Sequence, residues 1–173
     1  MTTLSIKTAE EFRTLEALER QASRRAGRET PLVQHILRLF VDRGGPVRID
    51  DLVKASDGPR AAAMREALTR LDAEDLIRIR DDHVDIAYPF STGPTAFVVR
   101  VGAGRERYAC CATDALGIAP MVGQRIEIRS RCHHSGVPLE FSVTPDGPGP
   151  DAAGVMLWIG KVSEAGCKAA DGL

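Results

Sequence analysis

Residues 97–131 read FVVRVGAGRERYACCATDALGIAPMVGQRIEIRSR, and the fold class turns on this stretch. Phe97 to Val101 reads as a strand that continues through Tyr108 beyond the Gly102-Ala103-Gly104 turn, and Gln124 to Arg131 alternates through Ile126 and Ile128. Cys110 to Gly123 lies between these strands and does not alternate, so it reads as a short helix followed by a turn. Toward the C-terminus, Leu139, Phe141 and Val143 alternate again, Pro145 to Pro150 is a Pro/Gly-rich loop, and Val155 to Ile159 is an apolar run suited to a central buried strand.

Toward the N-terminus the pattern changes at Ser91-Thr92-Gly93-Pro94. Ahead of that loop the periods are helical. Residues 8–26 carry Phe12, Leu15 and Leu18 on a narrow stripe of a charged helix. Thr30-Pro31 opens a second helix, with Leu32, Val33, Ile36, Leu37 and Phe40 as its buried face and Gly44-Gly45 as its end. After an extended Val47 to Ile49, Asp50 is the expected N-cap of a helix holding Leu52 and Val53. Asp57-Gly58-Pro59 opens another, in which Met64, Ala67, Leu68 and Leu71 recur at helical spacing. Ile77 to Ile79 and Val84 to Ile86 alternate and are joined through Asp81-Asp82 as a hairpin. Three helices and a two-stranded wing make a winged-helix pattern. The expected class is therefore α+β: a helical extension over 1–30, a winged-helix-like domain over 31–90, and a mainly β domain over 95–173.

Composition narrows the function. The chain has 173 residues, 43% of them hydrophobic, and a mean hydropathy of −0.14, values of a globular chain. It lacks the roughly 18 consecutive apolar residues of a membrane span. Met1 to Gly27 is charged and has no apolar core of a secretory signal, so the expected compartment is the cytoplasm. Net charge is −1, divided as +2 through Arg80 and −3 beyond it, too even for a polyelectrolyte partner. Residues 59–75 set Arg60, Arg65 and Arg70 against Glu66, Asp72, Glu74 and Asp75, a net −1 where a DNA reader would be basic. Packing explains that helix better than nucleic acid does.

Chemistry concentrates in the cysteines Cys110, Cys111, Cys132 and Cys167. In a reducing compartment such a cluster points to metal or catalysis before disulfides. If the chain turns helical at Cys111, then Cys111 and Asp114 share a face at i and i+3. A thiol at a helix N-terminus is expected to have its pKa lowered, and a carboxylate beside it can accept and return a proton. Such a pair suits capture of a soft electrophile with proton delivery nearby. The plainer alternative is a buried Cys111 with Asp114 capping a helix. Cys132-His133-His134 holds metal-ligand residue types, but neighbours on a strand face opposite ways and no CxxC spacing is present, so a solvent-facing turn is the better reading. His35 and His83 read as surface residues.

The run Tyr108 to Leu116, then Pro120-Met121-Val122-Gly123, Ile126 to Cys132 and Ser135-Gly136-Val137-Pro138, resembles the organomercurial (alkylmercury) lyase family over about residues 30–160. The resemblance implies a winged-helix-like front half and an enzyme of mercuric resistance. Such enzymes cleave carbon–mercury bonds by thiolate capture and protonolysis, giving hydrocarbon and Hg(II), with no cofactor. It makes Cys111 the first catalytic cysteine, Asp114 the catalytic aspartate and Cys132 a structural cysteine. It also implies an organomercurial substrate, low-molecular-weight thiols, and a mercuric reductase as acceptor of the product. In the family a bulky aromatic usually precedes the first cysteine, where this chain has Cys110. The family's second catalytic cysteine aligns at or just beyond Leu173, about six residues after Cys167, which stands as the candidate second mercury ligand beside Cys111. Two other readings remain open at this level: a metal-responsive winged-helix transcription regulator, and a relative that binds mercury without turnover.

Overall fold

Leu32, Val33, Ile36 and Phe40 recur three and four residues apart, and in the computed structural model they are the buried face of α1 (Thr30–Arg43). The structure describes Thr8, Glu11, residues 30–54 and residues 58–158. The helix expected over 8–26 lies outside the described residues apart from Thr8 and Glu11. These two exchange hydrogen bonds as a helix-opening pair does: Thr8 N–H donates to Glu11 Oε2 at 2.8 Å and Glu11 N–H to Thr8 Oγ1 at 3.2 Å.

At its C-terminus α1 leaves carbonyls without helical partners. Gly44, at φ 89°, closes the last turn by donating to Phe40 O at 3.0 Å. The guanidinium of Arg107, far along the chain, donates to Phe40 O at 2.8 Å, Val41 O at 2.6 Å and Asp42 O at 3.1 Å. A cation on helix-end carbonyls is favourable for both hydrogen bonding and the helix dipole. A side chain at position 44 would meet this guanidinium at 3.4 Å as well as straining the backbone.

After β1 (Val47–Arg48) comes α2 (Ile49–Val53). It starts two residues earlier than expected, with Arg48 in place of Asp50 at the N-cap, because Ile49 is itself buried and its N–H donates to Asp82 O. Asp50 therefore lies inside the first turn and does not cap it; its carboxylate accepts from Arg65 at 3.0 Å. Pro59 opens α3 (Pro59–Ala73), which buries Ala67, Leu68 and Leu71. The strands β2 (Ile77–Arg80) and β3 (His83–Ala87) are joined by Asp81 and Asp82 at φ 49° and 59°, the two positive values that a tight two-residue hairpin turn requires.

The second half adds β4 (Phe90–Ser91), β5 (Val98–Val101), β6 (Arg105–Ala109), α4 (Ala112–Val122), β7 (Ile126–Arg131), β8 (Pro138–Thr144) and β9 (Gly147–Pro148), then a 3-10 turn over Pro150–Ala152. All nine strands among the described residues belong to one antiparallel sheet, ordered β1-β3-β4-β6-β5-β7-β8-β9 with β2 on β3. Alternation sorts its faces. Val99, Val101, Ile126 and Ile128 join the core with the faces of α1, α3 and α4, while Arg100 pairs with Glu127 at 2.6 Å and Arg129 with Glu106 on the other face. The class is α+β.

The run from Val155 is not the buried strand its composition suggests. Val155 to Trp158 are exposed and outside any strand, with Trp158 at 69%, and Ile159 lies outside the described residues. The reason is local. Asp151 ties the 3-10 turn to β8 by accepting from Ser142 N–H at 2.9 Å, and Val155 N–H closes a further turn onto Ala152 O. These turns take the chain away from the sheet.

Phe40 joins the two halves of the core. It is 1% exposed and stacks on Phe90 at 6.3 Å between ring centroids. Phe40→Ala is expected to lower unfolding free energy by about 3–5 kcal/mol, read from urea denaturation. A loss below about 1 kcal/mol would mean that α1 is not packed on the sheet in this way.

Candidate active site

The strand β6 ends at Ala109, opposite Phe90 of β4, and the chain then turns into α4. At this junction consecutive side chains diverge, as extended backbone requires. Cys110 points inward, 3% exposed, against Ile86 and Tyr88, and its N–H donates to Pro89 O at 3.0 Å. Cys111 has extended backbone (φ −148°, ψ 179°) and is the N-cap of α4. Its half-buried Sγ accepts from the Asp114 N–H at 3.4 Å, and its carbonyl accepts from Ala115 N–H at 2.9 Å. Sulfur here takes the part that a Ser or Asp oxygen usually plays at an N-cap. The i, i+3 pairing of Cys111 and Asp114 is thus present at the first turn.

The expected acidic thiol is not. Burial pushes the Cys111 thiol up to about 11, and the Asp114 carboxyl adds to the rise through a hydrogen bond and its charge, while the backbone N–H groups of Asp114 and Thr113 pull the other way. Two backbone donors do not offset loss of water and an adjacent carboxyl. Cys110 is raised still further, first by burial and then by the charges of Asp114 and Cys111.

Behind the thiols lies a group of side chains that sequence patterning did not single out. Tyr88, in the turn between β3 and β4, donates to Asp75 Oδ1 at 3.5 Å. Arg78 and Asp85 form a two-pronged pair, Nε to Oδ1 at 2.9 Å and Nη2 to Oδ2 at 2.8 Å, with side chains 16% and 15% exposed. Burial, then the charges of Asp75, Cys110 and Asp114, raise the Tyr88 hydroxyl, which stays protonated.

Strand direction places Cys132. The strands β6 and β7 are both antiparallel to β5, and Tyr108 and Arg129 both face Val98. Cys110–Cys111 and Cys132 therefore leave the sheet at the same end, about 10 Å apart across β5 at ordinary strand spacing. Cys132 sits in the β7–β8 turn, where its N–H donates to Val137 O at 2.8 Å and its carbonyl accepts from Gly136 N–H at 2.8 Å. Hydrogen bonding from Ser135 lowers its thiol. His133 and His134 are exposed, and among the described residues no group of three or more His, Cys, Asp or Glu is arranged to hold a metal ion. Cys167 lies outside the described residues.

Comparison with known families matches residues 90–173 to the family described as alkylmercury lyase, the span that contains Cys110, Cys111, Asp114, Cys132 and Cys167. That span, just under half of the chain, is what is similar to the alkylmercury lyase family. Among curated relatives, an alkylmercury lyase of Staphylococcus epidermidis is 26% identical over 115 residues, 66% of this chain and 50% of the relative. An alkylmercury lyase of Bacillus cereus is 26% identical over 133 residues, 75% of this chain and 57% of the relative. The chain thus spans little more than half the length of the curated relatives it matches. Among solved structures, the mercury-bound form of MerB2 superposes with a TM-score of 0.59 at 23% identity, covering 76% of this chain and 64% of the other, which establishes the shared fold.

The segment matched to that family carries a readily tested order of thiol reactivity. Only thiolate alkylates, so a group raised from 9.0 to about 11 has about 100-fold less thiolate at neutral pH. With iodoacetamide and peptide mapping, we expect Cys132 to label first, Cys111 later with a rate rising through a midpoint of about 11, and Cys110 last. A Cys111 that labels as fast as Cys132 would contradict the burial described.

Proposed function

We propose that this chain cleaves carbon–mercury bonds, and that Cys111 and Asp114 carry the reaction. The observation that supports this most directly is the Cys111 Sγ held at the start of α4, 3.4 Å from the Asp114 N–H, within the alkylmercury lyase match. A resting thiol at about 11 suits the role. It is inert toward hard electrophiles at neutral pH, but mercury is soft enough to displace its proton. Asp114 takes that proton as the Cys111–mercury bond forms. A second thiolate then adds to mercury and raises the electron density at the bound carbon. Asp114 returns its proton to that carbon, the carbon–mercury bond breaks with its electron pair going to the new C–H bond, and Hg(II) remains on sulfur.

Cys167 is the proposed second sulfur within the chain, and a low-molecular-weight thiol serves the same purpose from solution. Reach supports Cys167. Cys167 lies nine residues beyond Trp158, the last described residue, within roughly 30 Å of it as extended chain, while α4, with 11 residues, is about 16 Å long. Cys132 holds the β7–β8 turn. The substrate class is organomercurial cations, and a mercuric reductase is the proposed acceptor of Hg(II), in the cytoplasm. Among the described residues no helix is long and apolar enough to cross a membrane.

The helices α1 to α3 with the β2–β3 hairpin form the proposed winged-helix-like unit over 31–90, after an extension over 1–30, with the catalytic unit over 95–173. A regulatory DNA-binding role for that front unit has less support. Along α3, Arg65 is engaged with Asp50 at 3.0 Å instead of standing free for phosphate.

The test is headspace gas chromatography after incubation with methyl- or phenylmercury and excess thiol. We expect methane or benzene. Tight mercury binding without hydrocarbon would identify a non-catalytic relative and overturn the proposal.

A further inference from the structure

At the end of β6 one ladder hydrogen bond is replaced by a side chain. Val98 of β5 faces Tyr108 of β6, so the next antiparallel pair is Phe97 with Ala109. Ala109 N–H donates to Phe97 O at 2.9 Å, which marks a pair that would ordinarily exchange both of its hydrogen bonds. The return bond runs through Thr95 instead. Phe97 N–H donates to Thr95 Oγ1 at 3.2 Å, and the Thr95 hydroxyl donates to Ala109 O at 2.6 Å. Phe97 O also lies 3.3 Å from that oxygen, but the hydroxyl has one proton and the nearer carbonyl takes it. Only a group that accepts and donates at once can be spliced into a ladder in this way.

The consequence falls on the thiols. Ala109 O belongs to the peptide group whose N–H is that of Cys110, and this N–H donates to Pro89 O at 3.0 Å. A peptide group is planar, so Thr95 on one edge and Pro89 on the other fix its orientation. Only the Cys110 torsions lie between it and the peptide group of Cys111, which caps α4 with its Sγ 3.4 Å from Asp114 N.

We propose that Thr95 is a positioning residue for the Cys111–Asp114 pair, acting through the Ala109–Cys110 peptide group; its effect on turnover rests on the lyase reading above. Without the hydroxyl, Phe97 N–H and Ala109 O either pair directly, drawing the end of β6 toward β5, or are left unmatched. Either way the peptide group turns, and the Cys111 side chain turns with it. A misplacement on the order of 1 Å is enough to cost up to about 10²-fold in rate.

The experiment compares Thr95→Val, which keeps the shape of the side chain, with Thr95→Ser, which keeps the hydroxyl, both in the full chain. For benzene release from phenylmercuric acetate with excess thiol, we expect Thr95→Val to lower kcat about tenfold or more, with KM within about twofold of the parent. Thr95→Ser should keep kcat within about twofold. Proton–nitrogen NMR gives a readout that needs no turnover. The Asp114 amide signal reports the contact with Cys111 Sγ, and it should move in Thr95→Val and hold its wild-type position in Thr95→Ser. The Gly123 signal, at the far end of α4, should stay in place in both. If Thr95→Val does not fold, Thr95→Ala, which leaves room for a water between the two backbone groups, takes its place with the same expected direction. Wild-type kcat in the variant lacking the hydroxyl would overturn the proposal, as would an unmoved Asp114 signal there or a Thr95→Ser chain that is equally slow. If the wild-type chain yields no benzene, the lyase reading fails, while the NMR comparison still decides the positioning role.

Discussion

Cys111→Ser is expected to abolish hydrocarbon release, a loss on the order of 10⁴-fold or more, comparable with removal of other enzymic nucleophiles. The substitution exchanges one atom, and its consequences separate chemistry from folding. A serine oxygen is hard and does not displace its proton for mercury as sulfur does. At an N-cap, however, serine is the better residue, because its oxygen accepts a backbone N–H more strongly than the sulfur now placed 3.4 Å from Asp114 N. The variant should therefore fold as stably as the parent or slightly more so. Lost activity with an unchanged or raised thermal midpoint is the expected pair of results. Full activity would refute the role given to Cys111.

Asp114→Ala is expected to slow hydrocarbon release by roughly 10²–10⁴-fold, the usual worth of a positioned general acid, while retaining mercury binding on Cys111. A second consequence has a definite sign. The Asp114 carboxyl raises the Cys111 thiol through a hydrogen bond and its charge, so removing it moves the alkylation midpoint below about 11 and quickens labelling at neutral pH. The variant would then be a faster thiol and a slower lyase. If both rates fell together, Asp114 would be holding the helix start, not delivering a proton. Equilibrium mercury binding and alkylation kinetics on the same preparation distinguish these outcomes.

Much of the sheet and the Cys111–Asp114 pair was legible because short-range pattern governs both. The alternation of Ile126 and Ile128 marks β7, Asp81-Asp82 marks the hairpin, and the break in alternation after Tyr108 marks α4. What escaped depends on long-range partners. Nothing near Arg107 in sequence signals that its guanidinium closes the carbonyl end of α1, some 66 residues away. Tyr88 sits in a two-residue connection between strands and becomes notable only when β4 lies against the end of β6 and brings it to Cys110. The Cys111 thiol departs from the sequence expectation for a related reason. Position at a helix start argues for acidity, but burial decides the sign, and burial is not a local property. Val155 to Trp158 show the converse, since an apolar run becomes a strand only where an edge accepts it.

The most direct test of protonolysis is the mass of the hydrocarbon formed from phenylmercury by the full chain with excess thiol in D₂O. Thiol and carboxyl protons exchange with solvent before the reaction, so the proton delivered to carbon should be a deuteron. We expect monodeuterated benzene as the main product, one deuterium in each molecule. Benzene without deuterium, or no benzene at all from a chain that binds phenylmercury, would contradict transfer from Asp114 to carbon.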